Sequence, residues 1–263
     1  MKIQVNDQWV ELSDNSSAKD LAEKLNLRAP NEALAIEING TLFDLQHILK
    51  DGEKVRFLSF EDKMGKEVFW HTSAHVLAQA ILRLWPQAQL TIGPPIENGF
   101  YYDFANVTIS DEDFEKIEKE AQKIIDENYV CKRHLFKDKH EALARFKSNP
   151  YKVELIEGFE EGPITAYEQG EFFDLCRGPH LNNLGKIKAF KVLKTSGAYW
   201  KGDQTREMLT RVYAISYPDR KLLKEYLFLL EEAKKRDHKI LGPKLDLFSL
   251  KEDGPIGTIE IFF

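Results

Sequence analysis

Apolar and polar positions change period several times along the chain, and the changes mark out its elements. Met1–Val5 alternates, Asn6-Asp7 turns the chain, and Trp9–Leu12 alternates again, which is the pattern of a β-hairpin. Asp14-Asn15-Ser16-Ser17 then precedes AKDLAEKLNL. There Leu21 and Leu25 stand one helical turn apart behind a helix-capping Ser/Asp cluster. After Pro30, ALAIEINGTLFDL predicts two strands around Asn39-Gly40, and Asp51-Gly52 turns the chain into a last strand, EKVRFLSF. The order β-β-α-β-β-β over about 60 residues predicts a ubiquitin-like β-grasp.

Residues 61–67, EDKMGKE, read as a short polar link. A helix is expected from near Val68 through HTSAHVLAQAILRLWP, with Pro86 closing it. LTIGPPIENGFYYDF is strand and turn material, and Ser110 with Asp113 forms a capping-box start to DEDFEKIEKEAQKIIDEN. VCKRHLF predicts a strand and HEALARFKS a short helix. From Ile164 to Tyr217, β-like runs alternate with turns, and Asp219–Arg236 predicts a long helix with a cationic last turn. The fold class expected is α+β in three parts: 1–61, 62–217 and 218–263.

Composition narrows the choices. Apolar residues make up 43% of the 263 positions, enough for ordinary globular cores. With 37 Lys plus Arg against 43 Asp plus Glu, the net charge is −6, which argues against a general polybasic nucleic-acid binder. One stretch runs against that balance: Lys186, Lys188, Lys191, Lys194, Lys201, Arg206 and Arg211 form a candidate phosphate-binding surface or, equally, a solvated face. No apolar run reaches the ~20 residues needed to span a bilayer, and MKIQVNDQWVELSD lacks the apolar stretch of a secretory signal. Cys131 and Cys176 are then expected as reduced thiols in a cytoplasmic protein.

Three segments carry candidate chemistry. His71-Thr-Ser-Ala-His75 places two imidazoles on one helix face, a geometry for chelating a metal or orienting a substrate; Thr at position 72 excludes the HExxH zinc-protease pattern. Asp174-Leu-Cys176-Arg177-Gly-Pro-His180 is a tight loop holding a carboxylate, a thiol and an imidazole together. His71, His75, Cys176 and His180 form a His₃Cys set compatible with zinc, whether structural or hydrolytic. Lys152 is either a surface cation or an oxyanion partner, and Tyr101 and Tyr102 either line a cleft or pack. In Gly197-Ala-Tyr-Trp-Lys-Gly-Asp203, Tyr199 and Trp200 either stack on a base or enter the core. His47, the sole histidine before residue 62, reads as structural or solvated.

The segments HTSAHVLAQAI, IGPPIENGFYYDF, DLCRGPHL, KTSGAYWKGD, EEAKKRDHKILG and KLDLF resemble the amino-terminal half of bacterial-type threonyl-tRNA synthetases. The resemblance runs from the start to about Asp253. It implies a TGS domain of β-grasp type at 1–61, then an α+β editing domain at 62–217 related to that of alanyl-tRNA synthetases. A linker helix and the start of an aminoacylation core would follow at 218–263. It further implies hydrolysis of serine wrongly attached to tRNA(Thr). Carried over, the catalytic positions are His71, His75, Lys152, Asp174, Cys176 and His180, with Tyr102, Tyr199 and Arg177 contacting substrate. No metal or other cofactor is expected to be needed, zinc being the candidate if one binds. Family members continue into a class II core with its own zinc ligands and ATP-binding arginines, whereas this sequence stops at EDGPIGTIEIFF. Ligation by this chain alone is therefore not expected. It reads as a fragment, a truncated product or a free-standing editing factor, with seryl-tRNA(Thr), alone or together with a full-length synthetase, as partners. The alternatives are a non-catalytic tRNA- or ribosome-binding module and a zinc-stabilised scaffold.

Overall fold

A computed structural model describes residues 1–28, 32–160, 162–236, 248–250 and 259–261. The sequence ends of the expected core segment fall largely outside these residues.

The first elements are β1 (Lys2–Val5), β2 (Gln8–Glu11), α1 (Ala18–Lys24), β3 (Ala35–Ile38), β4 (Thr41–Phe43) and β5 (Lys54–Leu58), in the expected order. They make one sheet ordered β2-β1-β5-β3-β4, in which β1 and β5 run parallel and the other neighbours antiparallel. Ser17 caps α1 through a full capping box with Asp20. Leu21 and Ala22 of α1 then pack into a core of Ile3, Val5, Ile36, Ile38, Leu45, Leu49 and Val55. His47 belongs to this structure and not to solvent: its ring lies 4.3 Å from that of Phe43, and its Nε2 is buried without a hydrogen-bond partner.

α2 (Lys63–Leu84) starts five residues earlier than the periodicity predicts. The polar link is its first turn, entered from Asp62, whose carboxylate accepts from the Ser59 amide at 2.8 Å and from Arg56 at 2.7 Å. Gly65 there approaches the Ser59 carbonyl so closely that a Cβ would overlap it. From Val68 to Ile81 nearly every side chain of α2 is buried, as expected for a helix covered on all sides.

Next come β6 (Gln89–Leu90), β7 (Pro95–Ile96), β8 (Gly99–Ala105) and α3 (Phe114–Glu127). After them are β9 (Lys132–Leu135), α4 (Lys139–Phe146), α5 (Pro150–Glu157), β10 (Thr165–Gln169), β11 (Phe172–Leu175), β12 (Ala189–Tyr199) and β13 (Met208–Tyr217). α5 carries no periodic signal strong enough to read in advance. It is nucleated by Asn149, whose side chain accepts from the Tyr151 and Lys152 amides, and by Pro150 in its first turn. β12-β13-β8-β6 form an antiparallel sheet, with β7 on β8; β11-β10-β9 form a smaller one. α2 packs between α3 and the larger sheet. The Trp70 indole donates to the Ser216 carbonyl at 2.9 Å and so fixes α2 on β13.

These elements cluster as one compact unit, Met1–Pro218. Within it the Gln46 amide donates to the Cys131 carbonyl at 2.7 Å, and the Tyr167 hydroxyl donates to Asp44 at 2.6 Å. A second unit begins at Asp219 with α6 (Arg220–Lys235), capped by Asp219 and basic in its last turn, and includes an antiparallel pair, β14 (Phe248–Leu250) and β15 (Ile259–Ile261). Among the described residues no helix is long and apolar enough to cross a membrane.

Candidate active site

Four elements bring the sequence-predicted residues to one cavity of about 930 Å³. α2 supplies His71 and His75, whose rings sit 5.5 Å apart as the i, i+4 spacing requires. β8 supplies Tyr102, α5 supplies Lys152, and β11 ends in Asp174. The loop that follows carries Cys176, Arg177 and His180. Cys176 and Arg177 line the cavity, and His180 lies directly behind the thiol.

One half of the site is a buried ion pair. Lys152 Nζ lies 2.7 Å from Asp174 Oδ1, and each side chain is only 3% exposed. The Tyr102 hydroxyl donates to Asp174 Oδ2 and accepts from Lys152 Nζ at 3.2 Å. Burial, with the Asp174 charge beside it, holds the Tyr102 hydroxyl well above its usual pKa, so it stays a donor. Gly93 is needed here because a Cβ would fall 2.1 Å from the Tyr102 ring.

The other half is a thiol–imidazole cluster. Cys176 Sγ lies 3.2 Å from His71 Nε2 and 3.0 Å from His180 Nε2, and it accepts from the Gly178 amide at 3.3 Å. The Thr72 hydroxyl fixes His180 at Nδ1, 3.1 Å away, and accepts from the Leu181 amide at 2.9 Å. His75 Nε2 lies 3.9 Å from Asp174 and joins the two halves; its Nδ1 is buried with no partner. Gly178, at φ +70°, passes so near the Tyr167 hydroxyl that a Cβ would sit 2.1 Å from it. Burial pushes the His71 imidazole down to about 4, and His75 and His180 well below their usual range. It pushes the Cys176 thiol up to about 12. Desolvation takes all three rings below the ordinary histidine value.

The four ligand atoms of His71, His75, Cys176 and His180 lie within 4.8 Å of one another. They suit zinc in kind, with Thr72 orienting His180 as an outer-shell partner would. The Sγ–N separations are shorter than the roughly 3.6 Å edge of a zinc tetrahedron and are those of hydrogen bonds.

Two expectations are corrected. Tyr199 does not line the cavity; it ends β12 and is 42% exposed. Its neighbour Trp200 is a core residue against Tyr151 and donates to Glu154 at 3.0 Å. The cations of 186–211 do not form a free basic face. Lys186 pairs with Glu32, Lys191 with Glu118, Lys201 and Arg206 with Glu154, and Arg211 with Asp103, while Lys194 covers the Tyr213 ring. Each of those carboxylates is far away in sequence, so the run of cations looked unopposed. Conversely, Thr72 and Arg133 join the site without a motif to announce them. Thr72 looks like a spacer between histidines, and Arg133 lies in an ordinary short strand.

Comparison with known proteins places this geometry in a class. Residues 164–213, from β10 to β13 and including Asp174, Cys176 and His180, match the family model of the threonyl and alanyl tRNA synthetase second additional domain. More specific relatives match over nearly the whole chain. The chain is 68% identical over 246 residues to a threonine–tRNA ligase of Protochlamydia amoebophila, covering 93% of this chain and 38% of that protein. It is 55% identical to one of Chlamydia trachomatis over the same shares, and 48% identical to one of Caldanaerobacter subterraneus over 90% and 37%. The chain belongs with the threonyl-tRNA synthetases, over their amino-terminal part, and spans about two fifths of the length of these relatives.

Proposed function

We propose that this chain hydrolyses the ester of serine wrongly attached to tRNA(Thr), in the cytoplasm, as the editing part of a threonine–tRNA ligase or beside a full-length one. In this reading residues 1–61 are a TGS domain of ubiquitin-like β-grasp type, 62–217 the editing domain, and 218–263 a linker helix leading into an aminoacylation core. The observation that carries the proposal is the meeting of a buried Lys152–Asp174–Tyr102 group with His71, His75, Cys176 and His180 at one cavity.

Serine differs from threonine by one methyl group, and such a difference is worth only about 1–3 kcal/mol in a binding pocket. A second site that hydrolyses the smaller product raises the discrimination. In this reading a water held by an imidazole attacks the ester carbonyl. The carbonyl electrons move to its oxygen, where the Lys152 ammonium meets the developing charge. Collapse expels the ribose oxygen, which takes the proton the water lost, relayed by a histidine, and leaves free serine and tRNA. Neutral, weakly basic imidazoles favour orienting the water over strong base catalysis, and positioning suffices for an activated ester. Asp174, already bound to Lys152 and Tyr102, faces the serine amine. The Cys176 thiol, with its pKa raised, serves as a wall and not as a nucleophile.

Single-turnover deacylation of labelled seryl-tRNA(Thr) tests the reading. Wild-type protein is expected to cleave it much faster than threonyl-tRNA(Thr). A wild-type rate equal to spontaneous ester hydrolysis would replace the hydrolase with a tRNA-binding module.

A further inference from the structure

Strand β9 lies at the edge of its sheet and all four of its residues are exposed. In the ladder, Arg133 stands opposite Tyr167, and Tyr167 stands opposite Asp174. Cross-strand partners share a face, so Arg133, Tyr167 and Asp174 form a row leading from the sheet edge to the buried carboxylate. At about 4.8 Å per strand, the Arg133 backbone is roughly 10 Å from that of Asp174. The Arg133 side chain lines the cavity and makes no hydrogen bond or ion pair among the described residues. Two residues along on the same face, Leu135 is 58% exposed opposite Thr165, which also lines the cavity. Exposed Arg177 lines the same cavity and stacks on Phe159 at 5.3 Å. One acidic side chain described there, Glu160, shares the rim.

The surroundings have the same sign. Residues 132–147 hold six Lys or Arg against two acids, within a chain of net charge −6. The cations of 186–211 are largely engaged by carboxylates, whereas here, among the described residues, Lys132 alone meets a carboxylate, at 3.9 Å. Lys139 donates to the Glu157 and Phe159 carbonyls, and Arg145 covers the Phe173 ring.

Taking the hydrolase reading as its basis, we infer that the β9 edge with Arg133 and Leu135, together with Arg177, is the docking surface for the single-stranded 3′ end of the RNA. The arginines hold the phosphodiesters next to the terminal nucleoside, and Leu135 lies under a base. The chemistry fits. An ester seated between Lys152 and the histidines leaves the adjoining phosphate one ribose away, toward the cavity mouth, where the two guanidinium groups stand. A planar guanidinium binds phosphate in two-point fashion, and an exposed leucine beside it offers an apolar face to a base.

The test is binding of a fluorescent short single-stranded RNA ending in CCA to the full chain, across a potassium chloride series. The slope of log affinity against log salt is expected to fall by about 0.7 for each of Arg133→Gln and Arg177→Gln. The double variant should bind about tenfold or more weakly at low salt. Leu135→Ala should weaken binding without changing the slope. Thermal melting should be unchanged in all of these, because the residues are exposed. A slope unmoved by the arginine variants but reduced by Lys191→Gln/Lys194→Gln would overturn the inference. So would Arg133-dependent binding to phosphatidylserine vesicles in place of RNA. Because binding is read without hydrolysis, a wild-type protein that binds through Arg133 yet does not deacylate would remove the hydrolase reading and leave the surface standing.

Discussion

Residues 1–61 and 62–217 are of similar secondary-structure make-up, yet they spend their interiors differently. The first region fills its core with aliphatic side chains such as Ile3, Leu21, Ile36 and Leu45. Every polar or charged residue buried to core level lies between Thr72 and Ser216 among the described residues, including His75, Lys152, Asp174 and His180. An apolar core needs only close packing. A buried charge must be matched by a partner in the right place, and each such group in the second region is matched by a residue distant in sequence. The first region is built for stability. The second accepts costly groups, and His75, Lys152 and Asp174 among them line the cavity.

Breaking the buried pair tests this contrast hardest. Lys152→Ala leaves Asp174 uncompensated and is expected to cost about 3–5 kcal/mol of stability, read by urea unfolding. It should also reduce deacylation by roughly 10²–10³-fold. The double variant Lys152→Met/Asp174→Leu should recover most of the stability and none of the turnover. Recovery of turnover would show the pair to be structural alone.

Leu21→Ala in the first region should cost a comparable ~2–5 kcal/mol through the cavity it opens. Its deacylation rate, measured well below the melting midpoint, should stay at the wild-type level. A fall like that of Lys152→Ala would erase the distinction between the regions.

Thr72→Val keeps the shape but leaves the Leu181 amide without its acceptor and His180 Nδ1 without its partner. The expected loss is about 1–3 kcal/mol, with a rate defect because the His180 ring is no longer held. Imidazole resonances of His180 that do not shift in this variant would refute that account.

The smallest expected effect is with acid. The Arg83 guanidinium beside Glu171 holds that carboxyl down at about 2. Its folded pKa lies below the unfolded value, so the unfolded chain binds the proton first as pH falls. This contribution is therefore complete above about 4.5 and is lost between about 4.5 and 2. Glu171→Gln should remove that part of the acid dependence and lower stability at pH 7 by the same small amount, small because Glu171 is half exposed. An identical acid profile for Glu171→Gln would place the dependence elsewhere.

The sequence by itself determined what depends on near neighbours. Hydrophobic period, caps and turn residues placed β1 to β5 and α1 in order, because a strand, a Ser17 cap or an Asn39-Gly40 turn is settled within a few residues. The His71–His75 spacing and the Asp174–His180 loop were legible for the same reason. Tertiary structure alone decided the rest. It set Lys152 against Asp174, buried Trp200 while leaving Tyr199 outside, and answered the cations of 186–211 with carboxylates from other elements. It also turned Arg133 toward the cavity through the register of β9 on β10. Charge pairing and desolvation depend on which distant residues meet, and neither period nor motif encodes that meeting.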